Sequence, residues 1–204
     1  MRTYKKVFLV LMIIPIFASC SAGKTYSIYE KVYNCYNNMN SFKAKVAVTS
    51  YSNNSENKYI LMQQYKSPDK ARSEYVTEEG VTNITVISGE TGKIISDYGN
   101  NPVILEKTDI TEKDYLMLNT FFDIYYSSEE TSVVTSKSNK SREITLTAQT
   151  GSSNKYRQSV ELTINCEPLN PIELKVYDED DKLRLKVEYL EFELNPAISD
   201  DIFK

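Results

Sequence analysis

Apolar and polar residues alternate along most of the chain, which predicts a protein built mainly from β-strands. The clearest stretch, residues 169–203, contains two alternating runs separated by the acidic sequence Asp178-Glu179-Asp180-Asp181. We predict a β-hairpin there, with one face of each strand buried. In its second strand the apolar positions change from odd to even numbers at Tyr189-Leu190. Because this shift would turn the strand over, it predicts a β-bulge and a strongly curved sheet.

The same alternation predicts the rest of the sheet. A turn at residues 67–70 and the sequence Gly89-Glu90-Thr91-Gly92 have the composition of strand connections. The predicted strands before the final hairpin cover residues 42–49, 59–65, 71–77, 81–88, 93–98, 131–137, 142–148 and 156–166.

Two segments have helical spacing instead. Residues 26–39 contain neither Pro nor Gly and end in an Asn-rich stretch, which predicts an N-terminal helix. Residues 116–126 are apolar nearly all round, so we predict a mostly buried helix on the concave side of the sheet. Thr111-Glu112-Lys113-Asp114 has the pattern of its N-terminal cap. The fold class is therefore α+β.

Composition narrows the function. The 204-residue chain contains no His, which removes His-based nucleophilic catalysis and His-ligated zinc, and we predict no enzyme and no cofactor. The net charge of −4 gives no basic surface for nucleic acid. Tyr is abundant, with 16 residues, which fits half-buried strand faces or a protein contact surface. As partner contacts we name Tyr51, Tyr59, Tyr65, Tyr75 and Tyr98.

The N-terminus has the pattern of an export signal. A basic start and an apolar run lead into Ala18-Ser19-Cys20, which resembles a bacterial lipobox. We expect a signal peptide at residues 1–19, a lipidated Cys20 followed by a tether to residue 25, and one domain at 26–204. The lipid would hold the exported domain on a membrane surface. An ordinary secretory signal is the alternative.

Cys35 and Cys166 both fall on predicted inward faces. In an exported protein they form either a disulfide or two core thiols, and the sequence leaves both open.

Charged candidate sites have simpler explanations. The acidic turn at 178–181 lacks the Gly and distal Glu of a calcium-binding EF-hand loop, so we predict a solvated turn. Carboxylates for glycoside chemistry are present at Asp109, Glu112, Asp114 and Asp123, but helix capping and solvation explain them better. We predict no metal site.

The element order resembles the LolA/LolB-like lipoprotein-carrier superfamily. Two patterns carry the resemblance: residues 63–72, with Pro68 and Arg72, and the closing segment with Pro171, Asn195 and Phe203. It implies a half-open antiparallel sheet, a LolA-like unclosed barrel. In lipid-carrying relatives an Arg near position 72 bonds to a helix inside the cavity. The alternative favoured by the residues is an outward Arg72 paired with Glu74 or Glu78.

The small Tyr-rich domain, the lipobox and the absence of His resemble clostridial spore germination lipoproteins of the GerS type. This implies a location at the forespore–cortex interface and a partner, an N-acetylmuramoyl-L-alanine amidase of the CwlD type, which would hold the zinc. The alternative is a lipid or acyl-chain carrier that uses the concave sheet. Exposed sheet edges also predict a homodimer.

Overall fold

The computed structural model describes residues 26–77, 80–89, 91–96, 103–105, 117–137 and 141–204. Within these residues, two α-helices, α1 (Ile28–Asn37) and α2 (Leu118–Ser127), accompany the strands, and a 3-10 helix (Asp200–Phe203) lies at the C-terminus. The strands are β1 (Ser41–Tyr51), β2 (Glu56–Lys66), β3 (Lys70–Thr77), β4 (Gly80–Ser88), β5 (Thr91–Ser96), β6 (Val103–Leu105), β7 (Thr131–Lys137), β8 (Arg142–Gln149), β9 (Ser159–Asn165), β10 (Pro171–Tyr177) and β11 (Leu183–Leu194).

The eleven strands form one antiparallel sheet in the order β6-β5-β4-β3-β2-β1-β11-β10-β9-β8-β7. β1 lies in the centre, where it pairs with both β2 and β11. The sheet does not close into a barrel, and β6 and β7 are its two edges. The predicted fold class, an unclosed antiparallel sheet with an N-terminal helix and a mid-chain apolar helix, is confirmed.

One face of the sheet, the helix face, carries the main core. Inward residues of the central strands alternate with outward ones, as in β1, where Phe42, Ala44, Val46 and Val48 are buried. α2 is apolar enough to be buried on its sheet-facing side, through Leu118, Phe121, Phe122 and Tyr125. α1 packs beside it, and the rings of Tyr36 and Phe122 stack at 4.6 Å.

The N-terminus of α1 is fixed by its sequence. The Ser27 hydroxyl accepts a hydrogen bond from the backbone amide of Glu30, whose carboxylate accepts one from the backbone amide of Ser27. This reciprocal pair satisfies two amides that the first turn of a helix leaves without partners.

The predicted bulge is present in β11. Lys45 pairs with Glu191 and Val46 pairs with Tyr189, so Leu190 is the extra residue. Leu190 is exposed, whereas the residues on either side of the bulge keep their apolar side chains on the helix face, Val187 before it and Phe192 after it.

The C-terminal segment crosses to the opposite face of the sheet. There Ile198 and Phe203 pack against Val86 of β4 and form a second, small apolar cluster. The segment is therefore an integral part of the fold rather than a loose end.

The differences from the predicted elements are small. β6 was not predicted, because three residues are too short to show alternation. The predicted cap at 111–114 lies outside the described residues, and within them α2 has no side-chain cap. Among the helices that the structure describes, none is long and apolar enough to cross a membrane.

Candidate functional site

A cavity of about 740 Å³ opens on the helix face, on the side of the sheet formed by β1 to β4. Its floor is apolar, with Leu61, Ile87, Val176 and Leu185, and its upper wall includes Met117 just before α2. Its mouth is polar. The polar lining consists of Ser50, Ser52, Asn53, Asn57, Ser73, Asn83, Thr85, Arg157 and Arg184.

The acidic hairpin turn lies at this mouth and is not a simple solvated turn. Asp178 is buried, with its side chain only 3% exposed. Its carboxylate accepts hydrogen bonds from the backbone amides of Asp180 and Lys182, each at 2.9 Å, and from Nε of Arg184 at 2.6 Å. The prediction of a solvated turn therefore holds for residues 179–181 but is wrong for Asp178.

These contacts determine the direction in which the pKa of Asp178 is shifted. Burial alone would raise the pKa of the carboxyl, but the backbone amides and the Arg184 guanidinium hold this pKa below its ordinary value. Arg184 also donates to Asn53 Oδ1 at 3.0 Å and lies 5.2 Å from the ring centre of Tyr156. One buried ion pair thus fixes three loops around the cavity mouth.

The tyrosines named as partner contacts have different surroundings. Tyr65 is buried in the core, where its ring stacks on Phe42, so it lies away from the surface. Tyr59 and Tyr75 are half-buried, have ring centres 5.4 Å apart and line the cavity. Tyr51 lines the cavity mouth, and Tyr98 lies outside the described residues.

Four of the five motif residues lie in or beside the part of the sheet that the C-terminal segment crosses. Asn195, at φ 55°, accepts hydrogen bonds through Oδ1 from the backbone amides of Asn40 and Ser41, at 2.7 and 3.2 Å. Phe203 belongs to the small apolar cluster, and Pro68 lies in the β2–β3 turn. The fifth, Pro171, is buried at the start of β10.

The fourth motif residue in this group, Arg72, points to the opposite face rather than into the cavity. Its Nε donates to Glu74 Oε1 at 2.7 Å, which agrees with the outward pairing favoured by the sequence, while Glu78 lies outside the described residues. Its second bond goes to the backbone oxygen of Ile202, at 2.9 Å. Lys66 and Lys70 hold Asp200 in the same segment, at 2.8 and 3.0 Å.

The two cysteines of the domain are free thiols. Cys166 is buried in the core and Cys35 is half-buried against it. Burial raises the pKa of both thiols, so neither is activated as a thiolate.

The exposed aromatic residues are a different set from the predicted one. Tyr26, Tyr29 and Tyr33 at α1 and Tyr126 at the end of α2 are exposed and form what we call the tyrosine patch. Tyr29 and Tyr33 are four residues apart in α1 and therefore lie on one helix face, a signal available in the sequence, and Tyr26 directly precedes the N-cap Ser27.

The edge strand β7 is exposed along its whole length. All seven of its residues are exposed, including Val133 and Val134. Among the strands that the structure describes, it pairs with β8 alone, so its outer backbone groups are available to another strand.

Comparison with known proteins identifies the family. The model of the family described as "Sporulation protein YdcC-like" matches residues 3–203. The chain belongs to the YdcC-like sporulation protein family. The comparison with curated proteins gave no match.

Two solved structures with TM-scores of 0.55 and 0.50 agree with the fold of this YdcC-like chain, and a third has a lower score. An uncharacterized conserved protein from Thermus thermophilus has a TM-score of 0.55 at 14% identity, over 87% of this chain and 91% of that one. A chain in the structure of the CwlD amidase from Clostridioides difficile in complex with the GerS lipoprotein has a TM-score of 0.50 at 24% identity, over 81% and 93%. A LolA superfamily protein from Nitrosomonas europaea has a TM-score of 0.47 at 14% identity, over 87% and 96%.

The YdcC-like chain shows no metal centre in the part that the structure describes, where no three Cys, Asp or Glu residues converge. Of the carboxylates considered for glycoside chemistry, only Asp123 is described, and it lies on the exposed side of α2. Cys20 lies outside the described residues as well.

Proposed function

We propose that this chain is a membrane-anchored spore lipoprotein that binds a cortex peptidoglycan N-acetylmuramoyl-L-alanine amidase and supports its activity during cortex modification, and thereby germination. The observation that carries the proposal is the likeness to a chain of the CwlD–GerS complex, within a family of sporulation proteins. The chain is a binding protein in this account, and the location is the forespore–cortex interface.

The division of chemistry between the two partners follows from composition. The chain has no His, so imidazole ligands for a catalytic zinc have to come from the amidase. What this chain contributes is surface: two sheet edges, a polar cavity mouth held by the Asp178–Arg184 pair, and exposed tyrosines.

The β7 edge is the surface best suited to a protein partner. Its backbone groups can extend a partner's sheet, and the exposed Val133 and Val134 offer apolar contacts on both faces. The same edge can pair with a second copy of the chain, which gives a homodimer. Light scattering of the purified protein without amidase, over a range of concentrations, separates the two uses. A monomer at all concentrations would remove the homodimer.

The anchor is proposed from the lipobox at Cys20. Metabolic labelling with radioactive palmitate should label the protein and should fail for Cys20→Ser. Cys35→Ser is the matched control and should be labelled normally, because Cys35 lies within the folded domain. A labelled Cys20→Ser variant would contradict the anchor.

The amidase partner is tested by recovering a tagged copy of the lipoprotein from sporulating cells. The proposal expects an N-acetylmuramoyl-L-alanine amidase among the recovered proteins, identified by mass spectrometry. Recovery of the lipoprotein in good yield with no amidase would count against the proposal.

The cavity supports a second candidate function, binding of a lipid or acyl chain. Its volume and its apolar floor with a polar mouth suit an amphipathic ligand of that size. Native mass spectrometry of the purified protein should then show a bound lipid. Ser73→Phe, which places a ring in the cavity, should abolish it, and Gln64→Phe on the opposite face should not. A protein without ligand in both variants and in the wild type would remove this function.

A further inference from the structure

The tyrosine patch is a continuous aromatic surface at one end of the molecule. The rings of Tyr29 and Tyr33 have centres 6.5 Å apart, and Tyr33 meets Tyr126 edge to face at 5.5 Å. Tyr33 and Tyr126 are each 41% exposed. The patch therefore joins α1 to the C-terminal end of α2.

The patch has a rigid support. Tyr126 packs on Phe122 with ring centres 5.7 Å apart, and Phe122 is part of the core. Its neighbours on α1, Glu30 and Lys31, are exposed and of opposite sign. The patch is thus amphipathic and close to neutral, with rings that end in hydroxyl groups.

The chain length places this patch near the proposed anchor. Only five residues separate Cys20 from Tyr26, so an extended tether spans about 20 Å at most. A lipid on Cys20 would hold the first turn of α1 within that distance of the membrane surface. Tyr is enriched at such interfaces, because its ring enters the apolar boundary while its hydroxyl stays among the headgroups.

We propose that the tyrosine patch rests on the lipid surface and fixes the orientation of the anchored domain. This inference depends on the proposed lipid anchor at Cys20. The acyl chains supply the affinity, and the patch sets which end of the sheet faces the membrane.

The orientation has a consequence for the rest of the molecule. α2, which carries Tyr126, leads into Thr131 at the start of β7. From Thr131 the strand pairings run through Ala148, Val160, Val176 and Leu185 to Ser50, near the end of β1. With the patch on the membrane, this end of the sheet, which also carries the acidic turn and the cavity mouth, faces the lipid.

Because the chain contains no Trp, one introduced Trp reports the fluorescence of a single position, and brominated lipid quenches that fluorescence on contact. Full-length lipidated Tyr33→Trp is reconstituted on phosphatidylcholine–phosphatidylglycerol vesicles, with and without brominated acyl chains. The control is Leu190→Trp, at the exposed bulge residue of β11 (54%), which points away from the helix face. Flotation of the vesicles reports the anchor separately, and circular dichroism confirms that both variants are folded.

The proposal expects both variants to float and brominated lipid to reduce the emission of Tyr33→Trp by about twofold, with that of Leu190→Trp unchanged. If both variants float but are quenched equally, or are not quenched, the proposed orientation is wrong and the lipid anchor still stands. A protein that does not float overturns both the anchor and the patch contact. A Tyr33→Trp emission that responds to peptidoglycan fragments or to the amidase, and not to lipid, assigns the patch to that ligand instead.

Discussion

At the scale of single residues, the most consequential group is the buried carboxylate of Asp178. It is satisfied by two backbone amides and by Arg184, which in turn reaches Asn53. Removing one partner would leave a buried charge without compensation, which costs more than the pair contributes. We therefore expect this pair to control the order of the cavity mouth.

The pH dependence of the Asp178 contribution has a definite sign. The folded protein holds the pKa of Asp178 below its ordinary value, so its stabilisation is present at neutral pH and is lost as the pH falls below about 4. Asp178→Asn should lower the melting temperature at pH 7, and the difference from the wild type should shrink at acid pH. The control Asp180→Asn removes only the exposed pair with Lys182 and should change little. An equal deficit for Asp178→Asn at pH 3 and pH 7 would contradict this assignment.

Asn195 joins the end of β11 to the start of β1. Its side-chain oxygen accepts from two backbone amides, and its φ of 55° suits Asn better than most residues. Asn195→Ala should lower the free energy of unfolding by about 1–3 kcal/mol in urea titrations. Asn195→Asp keeps the acceptor oxygen and should lose clearly less. If both variants were equally destabilised, the hydrogen bonds would not be the cause.

The surroundings of some side chains could be predicted from the sequence, and those of others could not. Arg72 was correctly assigned to an outward pairing with Glu74, because the two lie two residues apart on one strand face. The burial of Asp178 depends on a contact with Arg184 and Asn53, and an acidic run by itself looks like a solvated turn. The burial of Tyr65 could not be predicted from its residue type either, because Tyr occurs on both buried and exposed faces of strands.

At the scale of elements, the bulge in β11 is the feature that the sequence predicted most sharply. It keeps Val187 and Phe192 on the helix face although their spacing is odd. Deleting Leu190 would leave Val187, Tyr189, Phe192 and Leu194 in regular alternation on the helix face, so it should remove the bulge and cost only about 1–2 kcal/mol in a urea titration. Leu190→Ala, at an exposed position, should be nearly neutral in the same titration. A much larger loss on deletion would show that the bulge itself is needed for the bend of the sheet.

The β7 edge gives a prediction about binding. Val134→Lys places a charge on the exposed edge, as natural sheets do to block strand pairing, and should weaken the amidase complex by about tenfold. Leu190→Lys, at a residue of similar exposure (54% against 59% for Val134), is the matched control and should bind normally. Surface plasmon resonance with immobilised amidase measures both. Unchanged affinity for Val134→Lys would move the contact away from this edge.

The elements themselves were largely predictable, because period-two alternation persists wherever one face of a strand is buried. Two strands show where this prediction fails. β6 is too short to show alternation. β7 is exposed on both faces, so its own sequence does not indicate which strand it pairs with. The position of β1 in the centre, between β2 and β11, could not be predicted from alternation, because alternation gives no strand order.

At the scale of the whole molecule, the unclosed sheet has two distinct ends and two free edges. The end of α2 with Tyr126 lies at the end of the sheet that also carries the acidic turn and the cavity mouth, because Thr131 is in register with Leu185 and Ser50. The C-terminal segment ties the central strands to the opposite face through Arg72, Lys66 and Lys70. This arrangement suits a domain that is anchored at one end and offers its edges to a partner.

The central claim is that this protein binds and supports a peptidoglycan amidase, and a reconstitution with purified components tests it most directly. The lipoprotein is mixed with a CwlD-type N-acetylmuramoyl-L-alanine amidase, the mass of the eluted species is measured by light scattering, and release of peptides from cortex peptidoglycan is followed. The account predicts a complex containing both chains, higher amidase activity than with the amidase alone, and no activity from the lipoprotein by itself. Separate elution of the two proteins with unchanged amidase activity would contradict it.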